Sequence, residues 1–203
     1  MNWYIIRHAA KEPGDFYNPV LRHQDQPISD KGRAEARNLS AYFAGKSIAA
    51  IYVSEYGRTR QTIEHAAQNL NLSPIVDPRL NEIDNGVIEG LTDPQISQQY
   101  PDVWEAFMSR DRDFRFPQGE SGEEAQQRIQ SFFIEHQKRQ EDIILVSHDG
   151  WIRLLMCYIL GLPVYRRWDF RVDTGGIMEI AYQPEFDRWK LIRFNHQLPT
   201  IES

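Results

Sequence analysis

The chain has little cysteine: one residue, Cys157, in 203. No intrachain disulfide can form, which fits a reducing compartment. Cys157 lies in the apolar stretch 151–160, where a thiol reads as small core filler rather than as a nucleophile. Long apolar runs are missing too, and the first apolar segment, residues 3–6, meets Arg7 too soon for a signal peptide or a membrane span. A cytoplasmic setting is expected. Basic charge is in deficit, 23 Lys and Arg against 29 Asp and Glu, and is dispersed, so the footprint of a nucleic-acid binder is absent. An anionic ligand would have to be held by a local group of arginines acting at short range. There is no repeat, low-complexity tract or run of like charge, and hydrophobic residues make up 41% of the chain. One domain over residues 1–203, without linkers, is the expectation.

What is present is a set of short apolar segments that stop abruptly at polar chemistry. Residues 3–6 run into Arg7 and His8, residues 143–146 into Ser147 and His148, and residues 49–53 into Ser54 and then Arg58. Each reads as a buried strand. Helical patterns lie between them at 29–43, 59–70, 121–140 and 150–160. The third opens with a capping-box spacing, Ser121 to Glu124, and the last is stopped by Gly161 and Pro163. Shorter helices are expected at 93–100 and 101–109. Segments 176–182 and 189–194 flank a polar turn and read as a hairpin. Alternating strands and helices followed by a hairpin predict an α/β chain with a mostly parallel, mixed sheet covered on both faces.

In such sheets ligands bind beyond the carboxyl ends of the strands, near helix N-termini. Arg7, His8, Arg58 and His148 all fall at such ends. Two guanidiniums and two imidazoles around one crevice make a phosphate site, and an imidazole kept neutral by nearby arginines can attack phosphorus. Either histidine alone would be an ordinary polar strand end. His23, His65, His136 and His196 lack metal-ligand spacing and read as surface or capping residues.

These residues sit in a wider pattern. Arg7-His8-Ala9 resembles the Arg-His-Gly signature of the histidine phosphatase superfamily, which includes phosphoglycerate mutases and small-molecule phosphatases. Residues 54–62 are similar to its second motif, Leu80-Asn81-Glu82-Ile83 with Gly86 and Glu89-Gly90 to its acid loop, residues 117–121 to its next helix start, and residues 146–150 to the motif carrying the second histidine. The resemblance covers nearly the whole chain. It implies a phosphoglycerate mutase-like three-layer α/β/α sandwich and a phosphatase of small-molecule phosphate monoesters, with no cofactor and no metal. His8 would be the phosphate acceptor, Arg7, Arg58 and His148 would hold the phosphoryl oxygens, and Glu82 would be the proton donor. Asp84, Glu89 and Glu12 are its acidic rivals.

Two departures stand out. The usual glycine after the first histidine is Ala9, tolerable if the backbone keeps a negative φ. The segment 11–26 is longer than the family pattern and offers only Asn18 where relatives place a phosphate-contacting asparagine, so Asn18 is a candidate substrate contact alongside its reading as a turn residue before Pro19. That segment is expected to border the pocket with Trp104, Phe107, Arg110, Arg112 and Phe114, although most of these aromatics read as core rather than as ligand contacts. The alternatives are a mutase-type phosphotransferase and an inactive phosphate-binding module. A relay through Ser147, His148 and Asp149 is excluded because adjacent residues at a strand end point to different sides. The oligomeric state and the identity of the ester are not encoded in any of these motifs.

Overall fold

The computed structural model describes residues 1–21 and 23–199; position 22 of the 11–26 segment and residues 200–203 lie outside the described residues. Strand β1 (Asn2–Arg7) lies at the centre of the main sheet, with β4 (Ile48–Val53), β5 (Ile75–Val76), β6 (Asp142–Ser147), β7 (Ile177–Gln183) and β8 (Arg188–His196) around it. The order is β5-β4-β6-β1-β7-β8. The first four strands run parallel, while β7 and β8 are antiparallel. A separate two-stranded ribbon, β2 (Tyr17–Asn18) and β3 (His23–Gln24), forms inside the segment after His8.

Side-chain alternation decides how the layers assemble. Trp3, Ile5, Ile143, Leu145 and Tyr52 face one side of the sheet and pack under α5 (Gly122–His136) and α6 (Asp149–Leu160). Tyr4, Ile6, Ile144, Val146, Ile51 and Val53 face the other and pack under α1 (Asp30–Phe43) and α2 (Gly57–Asn69). Two further helices, α3 (Asp93–Gln99) and α4 (Pro101–Ser109), form a hairpin of their own. The arrangement is the expected mixed-sheet three-layer sandwich.

Local signals set most element ends. Ser29 caps α1 by accepting from the Gly32 N–H, and Ser121 with Glu124 closes the capping box of α5. Gly161 ends α6 in the left-handed region at φ 65°. Helix α5 stops at His136, short of the expected residue 140, because the chain must turn to enter β6 at Asp142.

Parallel register positions the site. Arg7 is level with Ser147 and Val53 with Val146, so the carboxyl ends of β1, β6 and β4 lie side by side. The His8 N–H donates to the Ser147 carbonyl at 2.8 Å, continuing the ladder one residue past the strand.

Candidate active site

His8 is 5% exposed, and its Nδ1 lies 2.8 Å from its neighbour's carbonyl, that of Ala9. Nδ1 must therefore carry the proton, which leaves the Nε2 lone pair free. Ala9 has a negative φ, so the methyl replacing the usual hydrogen costs no backbone strain. Its N–H donates to Thr62 Oγ1 at 2.8 Å, and the Thr62 hydroxyl donates to the Arg58 carbonyl, tying the end of β1 to the first turn of α2.

His148, fully buried, is the N-cap residue of α6. Its ring centroid is 5.2 Å from that of His8. Nε2 lies 2.8 Å from Ser54 Oγ, and Nδ1 lies 3.2 Å from Arg58 Nη2, which can only donate. The neutral ring thus accepts at Nδ1 and donates at Nε2. Both imidazoles are held well below the ordinary histidine range, first by burial and then by the Arg58 guanidinium, with His8 adding to the effect on His148.

Arg58 is 5% exposed, and its guanidinium rides 4.3 Å above the Tyr56 ring. Nη1 donates to the Gln24 carbonyl at 3.0 Å and lies 3.6 Å from Asp25 Oδ1. Arg7 donates from Nη1 to the Val172 carbonyl at 2.5 Å. The enclosed Nε–H groups of Arg7 and Arg58 have no acceptor among the described residues, donor capacity suited to an oxyanion. Lys11 adds a further cation near both arginines and near Glu82; burial and then Arg58 lower its pKa, and its Nζ donates to Gln26 Oε1 at 3.1 Å.

Glu82, from the acid loop, joins this cluster through its charge, which acts on both Arg58 and Lys11. Its carboxylate accepts from the main-chain N–H groups of Gly150 (3.1 Å), Trp151 (2.9 Å) and Ile83 (2.9 Å). Burial nevertheless raises its pKa, outweighing those donors, and the charge of Asp149 acts in the same direction. Gly150 is required for the approach, since a Cβ there would lie 2.7 Å from Glu82 Oε1. Arg128 of α5 secures the acid loop by donating to the carbonyls of Arg79, Asn81 and Glu82 at 2.8–2.9 Å.

The rivals to Glu82 have other partners. Glu89 bonds the His23 ring with one oxygen and the Gln24 N–H with the other, at 2.9 Å, and Asp84 accepts from the Gly86 N–H and faces His23 Nε2 at 3.4 Å. Glu12 lies 4.0 Å from Arg33. His23 is therefore a partner of the acid loop and not the surface histidine expected from the sequence, and His136, 7% exposed, is buried as well.

Asn18 sits in the ribbon, where its Oδ1 accepts from the Val20 N–H at 3.0 Å and the Leu21 N–H at 3.4 Å, and its Nδ2 faces Asp25 at 3.4 Å. The fold thus brings Arg7, His8, Arg58, Glu82 and His148 together and leaves Asn18 on the rim. Two cavities share His23 and Asp84: one of about 340 Å3, lined in part by Tyr17, Gln24, Glu89 and Gln118, and one of about 350 Å3 that Glu82 lines together with Tyr56 and Asn81. The 11–26 segment borders both, as expected. Trp104, Phe107 and Arg110 do not line them; Trp104 stacks on Phe107, and Phe107 and Arg110 pack on Trp168. Among the described residues no group of three or more His, Cys, Asp and Glu side chains is placed to hold a metal ion.

Comparison with known proteins accords with this geometry. The model of the "Histidine phosphatase superfamily (branch 1)" matches residues 3–197. "Phosphoserine phosphatase 1" of Hydrogenobacter thermophilus is 29% identical over 85% of this chain and 82% of its own. "Probable phosphoglycerate mutase GpmB" of Enterobacter sp. (strain 638) is 31% identical over 89% of this chain and 84% of its own. In fold, the crystal structure of the alpha-ribazole phosphatase from Shigella flexneri superposes with a TM-score of 0.80 at 23% identity, covering 100% of both chains.

Proposed function

Because this chain belongs to the histidine phosphatase superfamily, we propose that it hydrolyses phosphate monoesters of small molecules through a phosphohistidine on His8. The observation that carries this reading is the free Nε2 of a neutral His8, enclosed with Arg7, Arg58 and His148, in a cluster where a buried, protonatable Glu82 acts on Arg58 and Lys11.

In the first step Nε2 attacks phosphorus and the P–O ester bond breaks. Glu82 gives its proton to the departing alkoxide, which leaves as the alcohol. Arg7 and Arg58 hold the charge of the transferring group. His148 donates to a phosphoryl oxygen once the incoming dianion drives uptake of one proton from solvent onto its Nδ1, the atom that otherwise accepts from Arg58, and that proton returns to solvent when phosphate leaves. In the second step the Glu82 carboxylate takes a proton from water, the water oxygen attacks phosphorus, and the P–N bond breaks to release inorganic phosphate and neutral His8. No metal or cofactor takes part. Asn18 acts from the rim, through Asp25, which faces Arg58.

The partner is a small-molecule ester rather than a nucleic acid or a membrane, and we place the enzyme in the cytoplasm, where its single buried Cys157 thiol stays reduced. No helix among the described residues is long and apolar enough to cross a membrane.

Rapid acid or alkaline quenching of turnover with 32P-labelled substrate tests the mechanism. The expected protein-bound label is acid-labile and alkali-stable, and it vanishes in His8→Ala together with turnover. Unchanged p-nitrophenyl phosphate hydrolysis by His8→Ala would overturn it. The likeness to proteins named phosphoglycerate mutase raises a second reading, a phosphotransferase. Incubation with 3-phosphoglycerate and a bisphosphate primer separates the two: free phosphate supports hydrolysis, and an isomerised ester supports transfer.

A further inference from the structure

The two N–H groups of α6 that hold Glu82 follow directly on Asp149, the first residue of that helix. A carboxylate in a first helical turn is ordinary. The placement of this one is not, because it lies between two arginines of different elements. Asp149 Oδ2 is 2.9 Å from Arg153 Nη2 one turn along α6, and Oδ1 is 3.9 Å from Nη1 of Arg7 at the end of β1. Oδ1 is enclosed and accepts no hydrogen bond among the described residues. A negative charge therefore stands beside a phosphate-binding arginine, where it opposes the binding of a phosphate dianion.

The groups around Glu82 explain what that charge accomplishes. Lys11 from the segment after β1, Arg58 from α2 and three main-chain N–H donors all favour the ionised carboxylate. Tyr56 and the neutral ring of His148 add no positive charge. Among the described residues, Asp149 is the charged side chain that acts most strongly on Glu82 in the opposite sense.

We infer that Asp149 is a positioning residue for this reaction, a charge set between Arg7 and Arg153 that favours the proton-loaded form of Glu82 and limits how tightly product phosphate is held. The inference rests on the assignment of Glu82 as proton donor. Asp149 contacts neither the ester nor phosphorus; it acts through Glu82 and Arg7.

Asp149→Asn keeps the shape and removes the charge, and its expected effects have opposite signs. Inorganic phosphate inhibits the variant more tightly, by about tenfold for a change of one unit in log affinity. Turnover of alkyl phosphates falls, and the alkaline limb of their kcat/KM profile moves to lower pH by about one unit, since a like charge no longer opposes ionisation of Glu82. Hydrolysis of p-nitrophenyl phosphate, whose leaving group needs no proton, falls less. Loss of both substrates in parallel, with the alkaline limb and phosphate inhibition unmoved, overturns the inference in favour of a structural role. Asp149→Ser, which retains a good helix-start residue, is expected to reproduce the Asn pattern and serves if Asn misfolds. Glu82→Gln measured alongside separates the two levels. If it slows alkyl and aryl esters equally, the donor assignment fails; if it is selective for alkyl esters while both Asp149 variants behave as wild type, only the role of Asp149 fails.

Discussion

The carboxylate of Glu82 accepts a hydrogen bond from the Gly150 N–H at 3.1 Å, and the approach exists only because residue 150 has no side chain. An added Cβ would sit 2.7 Å from Glu82 Oε1 and 2.9 Å from Ile83 Cγ2. The acid loop and the start of α6 are thus fitted to each other at one glycine. Gly150→Ala is expected to displace the proton donor without touching His8 or the arginines. Turnover of alkyl phosphates should fall by about 100-fold, the usual scale of general acid catalysis, and that of p-nitrophenyl phosphate much less. Overpacking should also lower stability by about 1–3 kcal/mol. Steady-state kinetics on the two substrate types, with a urea melt, check both effects.

The pH dependence follows from the two buried imidazoles. Burial and Arg58 hold both His8 and His148 below the ordinary value, so their neutral forms persist under mild acid. The acid limb of kcat/KM is therefore expected well below pH 6.5, the value of an unperturbed histidine. The sign for stability is the same. The unfolded chain takes up protons on these residues first, so their contribution is complete above about pH 6.5 and declines as the pH falls below it. A kcat/KM profile and urea midpoints between pH 8 and pH 4.5 measure the two consequences. An acid limb at or above 6.5 would show that His8 does not enter the reaction neutral.

Binding of the product reports on the cradle without chemistry. Phosphate engages Arg58 only in the folded protein, so at 100 times its Kd it should stabilise the enzyme by about 2.7 kcal/mol. For a chain of this size that is an increase of about 5–10 °C in Tm. Arg58→Ala removes the guanidinium that spans Gln24, Asp25 and His148 and should abolish most of the increase at the same phosphate concentration. Differential scanning fluorimetry with and without phosphate is sufficient, and chloride at equal ionic strength controls for screening.

The candidate catalytic centre was legible in the sequence for a physical reason. Three buried parallel strands, β1, β4 and β6, leave no choice about where their polar ends lie, so Arg7, His8, Ser54, Arg58 and His148 had to converge once the apolar runs before them were recognised. Glu82 was legible only through the resemblance of its loop, because nothing local distinguishes it from Asp84 or Glu89. Its environment is supplied by Gly150, Trp151 and Arg128, all more than 40 positions away. His23 escaped for the same reason: its partner Glu89 lies 66 residues on, and no short-range period encodes such a pair. The aromatic residues at 104–114 take the core reading, against Trp168 and the main cluster, although an Arg- and Phe-rich stretch reads alike whether it faces a pocket or the core.

His23 supplies the last prediction. The bond to Glu89 raises its pKa against the opposing effects of burial and Arg58, and Asp84 supports the protonated ring from the other side. Glu89 is lowered in turn: burial opposes its ionisation, but the bonds from His23 and the Gln24 N–H prevail. A raised histidine contributes fully below its unfolded value, about 6.5, and its contribution is lost as the pH rises through the higher folded value. The ribbon that carries His23 also presents the Gln24 carbonyl to Arg58, so loosening it should reach the phosphate cradle. KM for a phosphate monoester is therefore expected to rise in the wild type as the pH passes the folded value of His23. In His23→Ala, KM should already be high at pH 6, by about tenfold, the equivalent of one charge-assisted hydrogen bond, and should lose that pH dependence. Because the proposed chemistry runs through His8 and Glu82, and the described hydrogen-bond partner of His23 is Glu89, the change should fall mainly on KM. A variant whose KM follows the wild-type profile across this range would show that the ribbon does not help to form the binding site.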